Sequence, residues 1–491
     1  MKIGEIKSIL AVLIVAILIT LPIGVLAQKP TTEMKIFIKD DGTVTIKYSA
    51  EGEFETNETG TLNLEAYANV KFDAKEVLGN VKADLDFEST KATMQQQYFK
   101  FEIELKGMDS GQGSTYTSKV SGTINVAFSR DEKIDELKIE LENISTAMDE
   151  NNITTIEGTA SVYSSDPMLL MFLMALNKDQ INEKLNESNI DYVHVEKLEI
   201  TVTEKNTVKI DFAVIVDMNK LAEKAENKES KEAIWNLIRA LKHEHTLDSS
   251  VKFSLEMDSR KTPSKGTLSF EVIWHYKGDI EALKEIFSET PTAVETTSLP
   301  PTLEDKLSKE DIWELSNATK EFLENVEISY PSEVSFNAKI NVANGTGRIS
   351  LSIVAPPLKA KGVEGAEAAK TVLKYLGNVL TVINDKLEKL AEQEERENVK
   401  AILKAIIPEK VSLEPYESEK YIVKIEPKET SINELREVSV EIVPKTTSTQ
   451  ATTETTQTTT GAQMPMPTET LGILAAIIAI AVIGAVLLKR K

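Results

Sequence analysis

Apolar and polar residues alternate with a period of two through much of the first third of this chain. Leu62, Leu64, Ala66, Ala68, Val70 and Phe72 alternate with Thr61, Asn63, Glu65, Tyr67, Asn69 and Lys71. Val81, Ala83, Leu85 and Phe87 alternate with Lys82, Asp84, Asp86 and Glu88, and Phe99, Phe101, Ile103 and Leu105 with Lys100, Glu102 and Glu104. Further runs centre on 44–48, 120–128, 137–141 and 156–162. Successive strand side chains point to opposite faces, so each run sets one face in a core and one in water. A parallel sheet buried on both faces would not carry a charge at every second position, so the pattern predicts long antiparallel strands.

From Asp166 the rhythm becomes helix, strand, strand, repeated about four times. Asp166-Pro167 supplies an N-cap and a proline at the first helical position. Strands are expected near Val193–Thr203 and Val208–Asp217, then a helix over 219–241 and strands over 247–257 and 268–276. A third helix is expected around 303–325, with strands over 326–342 and 348–354 hinged on Asn344-Gly345. A fourth runs over 363–407 to Pro408. Its heptad of Ala366, Leu373, Leu380 and Leu387 with Ala369, Leu376, Ile383 and Leu390 is widened by Val372 and Val379, which suits a helix lying on a sheet better than a coiled-coil seam. The expectation is an α+β fold: long antiparallel β-sheets with helices packed on the apolar face, helix-strand-strand units in the C-terminal two thirds, and a C-terminal transmembrane helix.

The chain's ends carry that last element. Lys2 and Lys7 precede the unbroken apolar run Ile9–Ile19, and Val25-Leu26-Ala27 has the small residue of a leader cleavage site. Leu471–Leu488 is apolar throughout and closed by Lys489-Arg490-Lys491. As a helix it would span about 27 Å, the thickness of a hydrocarbon core, with the basic tail inside. Residues 289–302 lack periodicity and are rich in Thr and Pro, and Thr446–Thr460 holds ten threonines. The expected division is 1–27 signal peptide, 28–288 first lobe, 289–302 linker, 303–444 second lobe, 445–470 Thr-rich stalk, 471–488 membrane helix and 489–491 cytoplasmic tail. This order, resting on Thr446–Thr460 and Leu471–Lys491, resembles archaeal cell-surface proteins anchored beneath or within a surface layer. The resemblance implies location: a single-pass membrane protein whose N-terminal ectodomain is displayed outside the cell, with surface-layer or other surface proteins as partners.

Charge narrows the partners. The chain has 78 acidic and 56 basic residues, a net of −22. Such a surface argues against nucleic acid, which needs a cationic face, and against anionic lipid headgroups. Cysteine is absent, which removes thiol catalysis, thiolate zinc sites and iron–sulfur ligation.

Little catalytic chemistry stands out. His243-Glu244-His245 ends the second helix, where residues two apart point about 200° from each other and cannot share one metal unless the segment is extended. His194 and His275 sit on the polar phase of strands. Asp40-Asp41-Gly42 marks a hairpin turn and lacks the ligand ladder of a calcium loop. Gly111-Gln112-Gly113 joins two strands, so no helix N-terminus is there to take a phosphate. No catalytic residue, metal ligand or cofactor is assigned. Asn57, Asn143, Asn152, Asn186, Asn317 and Asn344 stand in glycosylation sequons. Met168–Leu176 is apolar on every side, which predicts a core helix wrapped by the sheet. In the functional alternative, Met168, Met171, Phe172 and Met174 line a cavity for a lipid or apolar peptide.

The sequence therefore reads as a membrane-anchored surface protein with a structural, adhesive or receptor role rather than an enzyme. An anchored carrier of lipid or another apolar ligand is the alternative, and a surface hydrolase with dispersed residues comes third.

Overall fold

A computed structural model of the protein describes residues 31–445 apart from 56–59, 74, 90–96, 131–132, 226, 261–262, 280–307, 344, 394–399, 401–403 and 405–407. The chain opens with β1 (Thr31–Ile38), β2 (Val44–Glu55) and β3 (Gly60–Phe72). Five long strands follow: β4 (Glu76–Ser89), β5 (Tyr98–Gly111), β6 (Tyr116–Arg130), β7 (Lys133–Met148) and β8 (Ile153–Ser164). Helices α1 (Pro167–Met174) and α2 (Lys178–Glu187) lead into β9 (Val193–Glu204) and β10 (Thr207–Asp217). Helices α3 (Met218–Glu223) and α4 (Lys228–Lys242) lead into β11 (His245–Asp258) and β12 (Ser264–Gly278). The last part holds α5 (Lys309–Asn325), β13 (Val326–Ile328), β14 (Ser332–Ala343), β15 (Thr346–Val354), β16 (Leu358–Ala360) and α6 (Gly365–Gln393). It closes with β17 (Val411–Pro415), β18 (Tyr421–Glu426), β19 (Glu429–Thr430), a 3-10 turn at Ile432–Glu437 and β20 (Ser439–Pro444).

These elements form two compact units. One joins β1–β3 to everything from α5 to β20, and the other holds β4–β12 with α1–α4. This differs from the expected lobe 28–288, because β3 pairs antiparallel with β14, Ala66 opposite Ala338, across most of the sequence between them. The linker expected at 289–302 lies outside the described residues.

In the first unit the strand order is β19, β17, β1, β2, β15, β14, β3. The hairpin β1–β2 turns at Gly42, whose φ of 86° favours glycine, and Asp41 Oδ1 accepts from Thr43 N at 2.9 Å. The core sits between this sheet and α6. Leu373, Val372, Leu376, Leu380, Ile383 and Leu387 are buried against Ile36, Ile38, Val44 and Leu413. The heptad positions thus pack within the chain. α5 is pinned to α6 by charge: its N-cap Ser308 makes a capping box with Asp311, and Asp311 also takes Lys386 at 3.0 Å and Lys389 at 2.5 Å.

The second unit holds nine described strands, paired antiparallel in the order β4, β12, β11, β5, β6, β7, β8, β10, β9. Its outer face is laced with ion pairs along and across strands, such as Lys82–Asp84 at 2.8 Å, Lys100–Glu102 at 2.9 Å and Lys265–Glu88 at 2.5 Å. Exposed pairs contribute little stability, but they identify the wet face. On the inner face two cross-strand glycines make room for neighbours. The Trp274 ring lies over Gly79, and the His243 carbonyl sits where a Cβ on Gly111 would be. At the β9 edge, the Asn182 side chain of α2 donates to Val195 O at 2.9 Å and accepts from Val195 N at 2.8 Å, satisfying backbone that no further strand covers.

The expected fold class does not stand. The sheet is mixed, because β1 and β17 pair parallel with Ile36 opposite Leu413. The intervening chain, α6 included, supplies the long crossover that parallel neighbours need. Strand outweighs helix, and part of the second unit's apolar face carries no helix among the described residues. No helix among the described residues is long and apolar enough to cross a membrane. Leu471–Leu488, the leader and the Thr-rich segment all lie outside the described residues. The helix expected over 219–241 is two, α3 and α4, and that expected over 363–407 is described as helix over Gly365–Gln393 and again at Lys400 and Lys404.

The Lys389 and Lys386 ammonium groups and the Ser308 cap hold the Asp311 carboxyl well below the ordinary carboxylate range. A depressed carboxylate stabilises the fold above its unfolded pKa, and that contribution fades as pH falls through the folded value. Asp311→Asn should therefore lower the melting temperature at neutral pH. The gap to the natural chain should narrow on acidification below about pH 4, the unfolded aspartate value. A gap that is constant from pH 7 to pH 2 in thermal melts would assign the effect to packing rather than charge.

Candidate functional site

Helix cover on the second unit's sheet is uneven. Helix α4 packs Ile238 and Leu241 against Tyr116 and Met148, at the end of β5 and β6 nearest their connecting turn. Helix α1 seats Leu170 and Leu173 on Val162, Val208 and Ile210, and α2 seats Ile181 and Leu185 on Val195. Among the described residues, no helix packs closely on β4, β11 or β12.

Among the described residues, the far half of the inner face is consequently an apolar surface with no helix packed on it. Strand register aligns Leu85, Leu268, Leu255, Phe101 and Val126 in one row across five strands. A second row holds Phe87, Gly266, Met257, Phe99 and Phe128, and a third holds Ala83, Phe270, Phe253, Ile103 and Ile124. Apart from buried Gly266 these residues are half-buried or exposed, with Phe99 at 38% and Phe128 at 42%. The Phe101 and Phe253 rings meet at 5.8 Å and 60°. The alternation of the sequence located these positions on one face, apart from Gly266, which precedes the strand expected over 268–276. What it did not contain is that helices would stop short of them.

Helix α1 departs from expectation. It was expected as a wrapped core helix, yet Leu170 alone is buried, while Met168, Met171 and Met174 are 73%, 63% and 44% exposed. Phe172 is half-buried, so these four residues do not line a closed cavity. Eight residues held at one end by Asp166, which accepts from Met168 N at 2.9 Å, can rest only one side on the sheet. Apolar composition all round does not distinguish a surrounded helix from one that presents an apolar side outward.

The opposite end of the inner face is polar and closed. Asp109, Ser118 and Thr146 lie side by side on β5, β6 and β7, with His245 and Tyr116 on the next rung, all buried. Burial pushes the Asp109 carboxyl above its ordinary range, opposed by hydrogen bonding from Ser118 and Tyr116. Ser118 Oγ makes no hydrogen bond of good geometry, so its share of that hold is small. Burial also lowers His245, whose Nδ1 meets the His243 carbonyl at 2.7 Å and whose ring stacks on Tyr276 at 5.7 Å. A buried Asp, Ser and His near one another invite a hydrolase reading. The geometry does not provide it, since His245 is turned to a carbonyl and α4 closes the cluster to substrate. Sequence reasoning missed Asp109 because a carboxylate on the apolar phase of β5, beyond Leu105 and Gly107, was not separated from the many on the wet phase.

No group of three or more His, Asp or Glu among the described residues could hold a metal ion. His275 Nε2 pairs with Glu76 Oε1 at 2.5 Å, and His194 is exposed. A cleft of about 570 Å³ beside α4 is lined by Trp235, Arg239, Lys242 and His243. Its Lys242 is committed to Asn152 Oδ1 at 2.6 Å and Glu150 O at 3.2 Å. That contact also bears on the sequons. The Asn152 Nδ2 donates to Asn219 Oδ1 at 2.8 Å, so this amide is engaged in the fold. Asn143 is exposed in a bulge of β7 with φ of 50°, Asn186 is exposed at the end of α2, and Asn317 is exposed on α5. Asn57 and Asn344 lie outside the described residues.

No protein-family model matches this chain, and no curated protein matches its sequence.

The raised Asp109 carboxyl gives a second pH-dependent test, opposite in sign to Asp311. A group whose folded pKa is raised costs stability wherever the unfolded chain would ionise it, above about pH 4. Asp109→Asn keeps the shape and removes that cost, so its melting temperature should exceed the natural chain's at neutral pH and converge with it on acidification. A lower melting temperature at pH 7 would mean that the ionised carboxylate is satisfied where it sits.

Proposed function

We propose that this protein is an exported surface protein whose second unit binds a long-chain apolar ligand, such as a lipid hydrocarbon chain, on the open half of its inner sheet face. The observation that carries the reading is the three aligned apolar rows from Ala83–Phe87 to Ile124–Phe128, left half-open by the described helices. Removing apolar area from water stabilises a complex by about 25 cal/mol per Å². A soluble domain rarely leaves so large a face without a partner. The rows are rich in Phe and Leu and contain no charge, which suits a hydrocarbon chain better than a headgroup or a sugar. Export and membrane attachment rest on the leader at Met1–Ala27 and the apolar stretch Leu471–Leu488.

A structural or adhesive role is the second reading, favoured by exposed aromatics of the first unit. Trp313, Tyr416 and Tyr421 are 66%, 54% and 40% exposed, the composition that protein interfaces use.

Two measurements test these readings. Titration of the full-length chain, held in amphipol, with a fluorescent long-chain probe should show saturable binding. Phe101→Glu should abolish it, while Glu102→Gln on the wet face should leave it intact. Equal binding by both variants would move the ligand elsewhere. For topology, protease added to intact cells should digest residues 28–444, and protection until lysis would refute surface display.

A further inference from the structure

Helix α1 sorts its side chains by element as well as by polarity. Its three methionines, Met168, Met171 and Met174, are the exposed apolar side chains, at 73%, 63% and 44%. Its three leucines and its phenylalanine are less exposed, with Leu170 buried and Leu173 packed on the β8–β10 core. If the helix needed only an apolar outer side, leucine would serve there as well as methionine. What methionine adds is a thioether sulfur, a soft donor that selects Cu(I) among biological metals.

The spacing also suits ligation. Residues three apart on a helix have Cβ atoms about 5–6 Å from one another. Each step turns the helix by about 300°, so the three methionines occupy about 120° of its circumference. Met171 stands in the middle with one thioether a turn on either side. Methionine's three rotatable bonds let neighbouring sulfurs swing toward a common point. The chain has no cysteine, so thioethers are the softest donors it possesses. None of the helix's own eight side chains carries oxygen, and the one carboxylate at its end, the N-cap Asp166, is engaged with the Met168 amide at 2.9 Å, so the stripe itself offers only thioethers.

We propose that Met171, paired with Met168 on one side or Met174 on the other, forms a two-thioether site for a soft monovalent cation, Cu(I) or its redox-inert analogue Ag(I). The metal enters and leaves without change of oxidation state, and no proton is displaced because a thioether is uncharged. This site is independent of the apolar ligand face.

The test uses the full-length chain and silver nitrate, with native mass spectrometry and peroxide footprinting. The natural chain should retain Ag(I), and bound Ag(I) should slow sulfoxide formation at Met168, Met171 and Met174 relative to exposed Met108. The triple variant M168L/M171L/M174L keeps the helix apolar and should lose Ag(I) retention while still binding the long-chain probe. Single Met171→Leu should weaken retention more than either outer replacement. No Ag(I) on the natural chain, equal retention by the triple variant, or protection that does not fall on these three residues would each overturn the proposal. Failure of the apolar-ligand reading is read separately, as absent probe binding with Ag(I) retention unchanged.

Discussion

A strand that carries a charge at every second position can bury only one face, and everything distinctive about this protein follows from how that face is covered. In the first unit one long helix does the covering. Gly365–Gln393 brings Val372, Leu373, Leu376, Leu380, Ile383 and Leu387 onto the sheet and leaves them buried. In the second unit the described helices are short, and they settle at the margins, over Tyr116 and Met148 at one end and over β8–β10 at one side. The sheet described there is nine strands wide, and helices of 8, 10, 6 and 15 residues do not span it. Apolar residues are placed with the same regularity in both units. What differs, among the described residues, is the helix that meets them.

That difference explains which parts of the structure were legible in the sequence. Alternation located the strands and their inward residues, because Leu62 to Phe72 and Phe99 to Leu105 obey a local rule that tertiary structure did not override. Partnership is not a local property. Nothing in 31–72 marks β1–β3 as belonging with β14, β15 and β17 rather than with β4, and the parallel pairing of β1 with β17 leaves no trace in either strand's pattern. Exposure of α1 was hidden for a related reason: MLLMFLM carries no polar residue to signal an outer side, so only the packing of Leu170 and Leu173 reveals which side is out. Asp109 was hidden among 78 carboxylates, of which it is one of the few buried.

The two buried aspartates show how far local surroundings decide what a charge does. Asp311 sits at a helix N-terminus with two ammonium groups and a capping hydroxyl, so burial has been matched by partners. Asp109 sits on a sheet rung between Leu247 and Ser118 with no cation near, so burial favours its protonated form. One ties α5 to α6 as a carboxylate. The other belongs to a closed polar patch at the covered end of an otherwise apolar face, where a neutral acid can donate and accept without a counter-ion.

Charge also bears on what the open face can meet. A net of −22 makes copies of this chain repel one another, and the repulsion acts over about a Debye length, roughly 10 Å at moderate salt. A second copy approaching the open rows would bring its own acidic surface with it, and so would any other acidic protein. An uncharged hydrocarbon chain meets no such barrier and can lie along rows that contain Phe, Leu, Ile and Val but no ion. The ion pairs of the outer face work in the same direction, because Lys82, Lys100 and Lys265 are each occupied by a carboxylate of their own chain. On the proposed reading, this balance of forces favours a small neutral ligand on the apolar rows over a charged macromolecule.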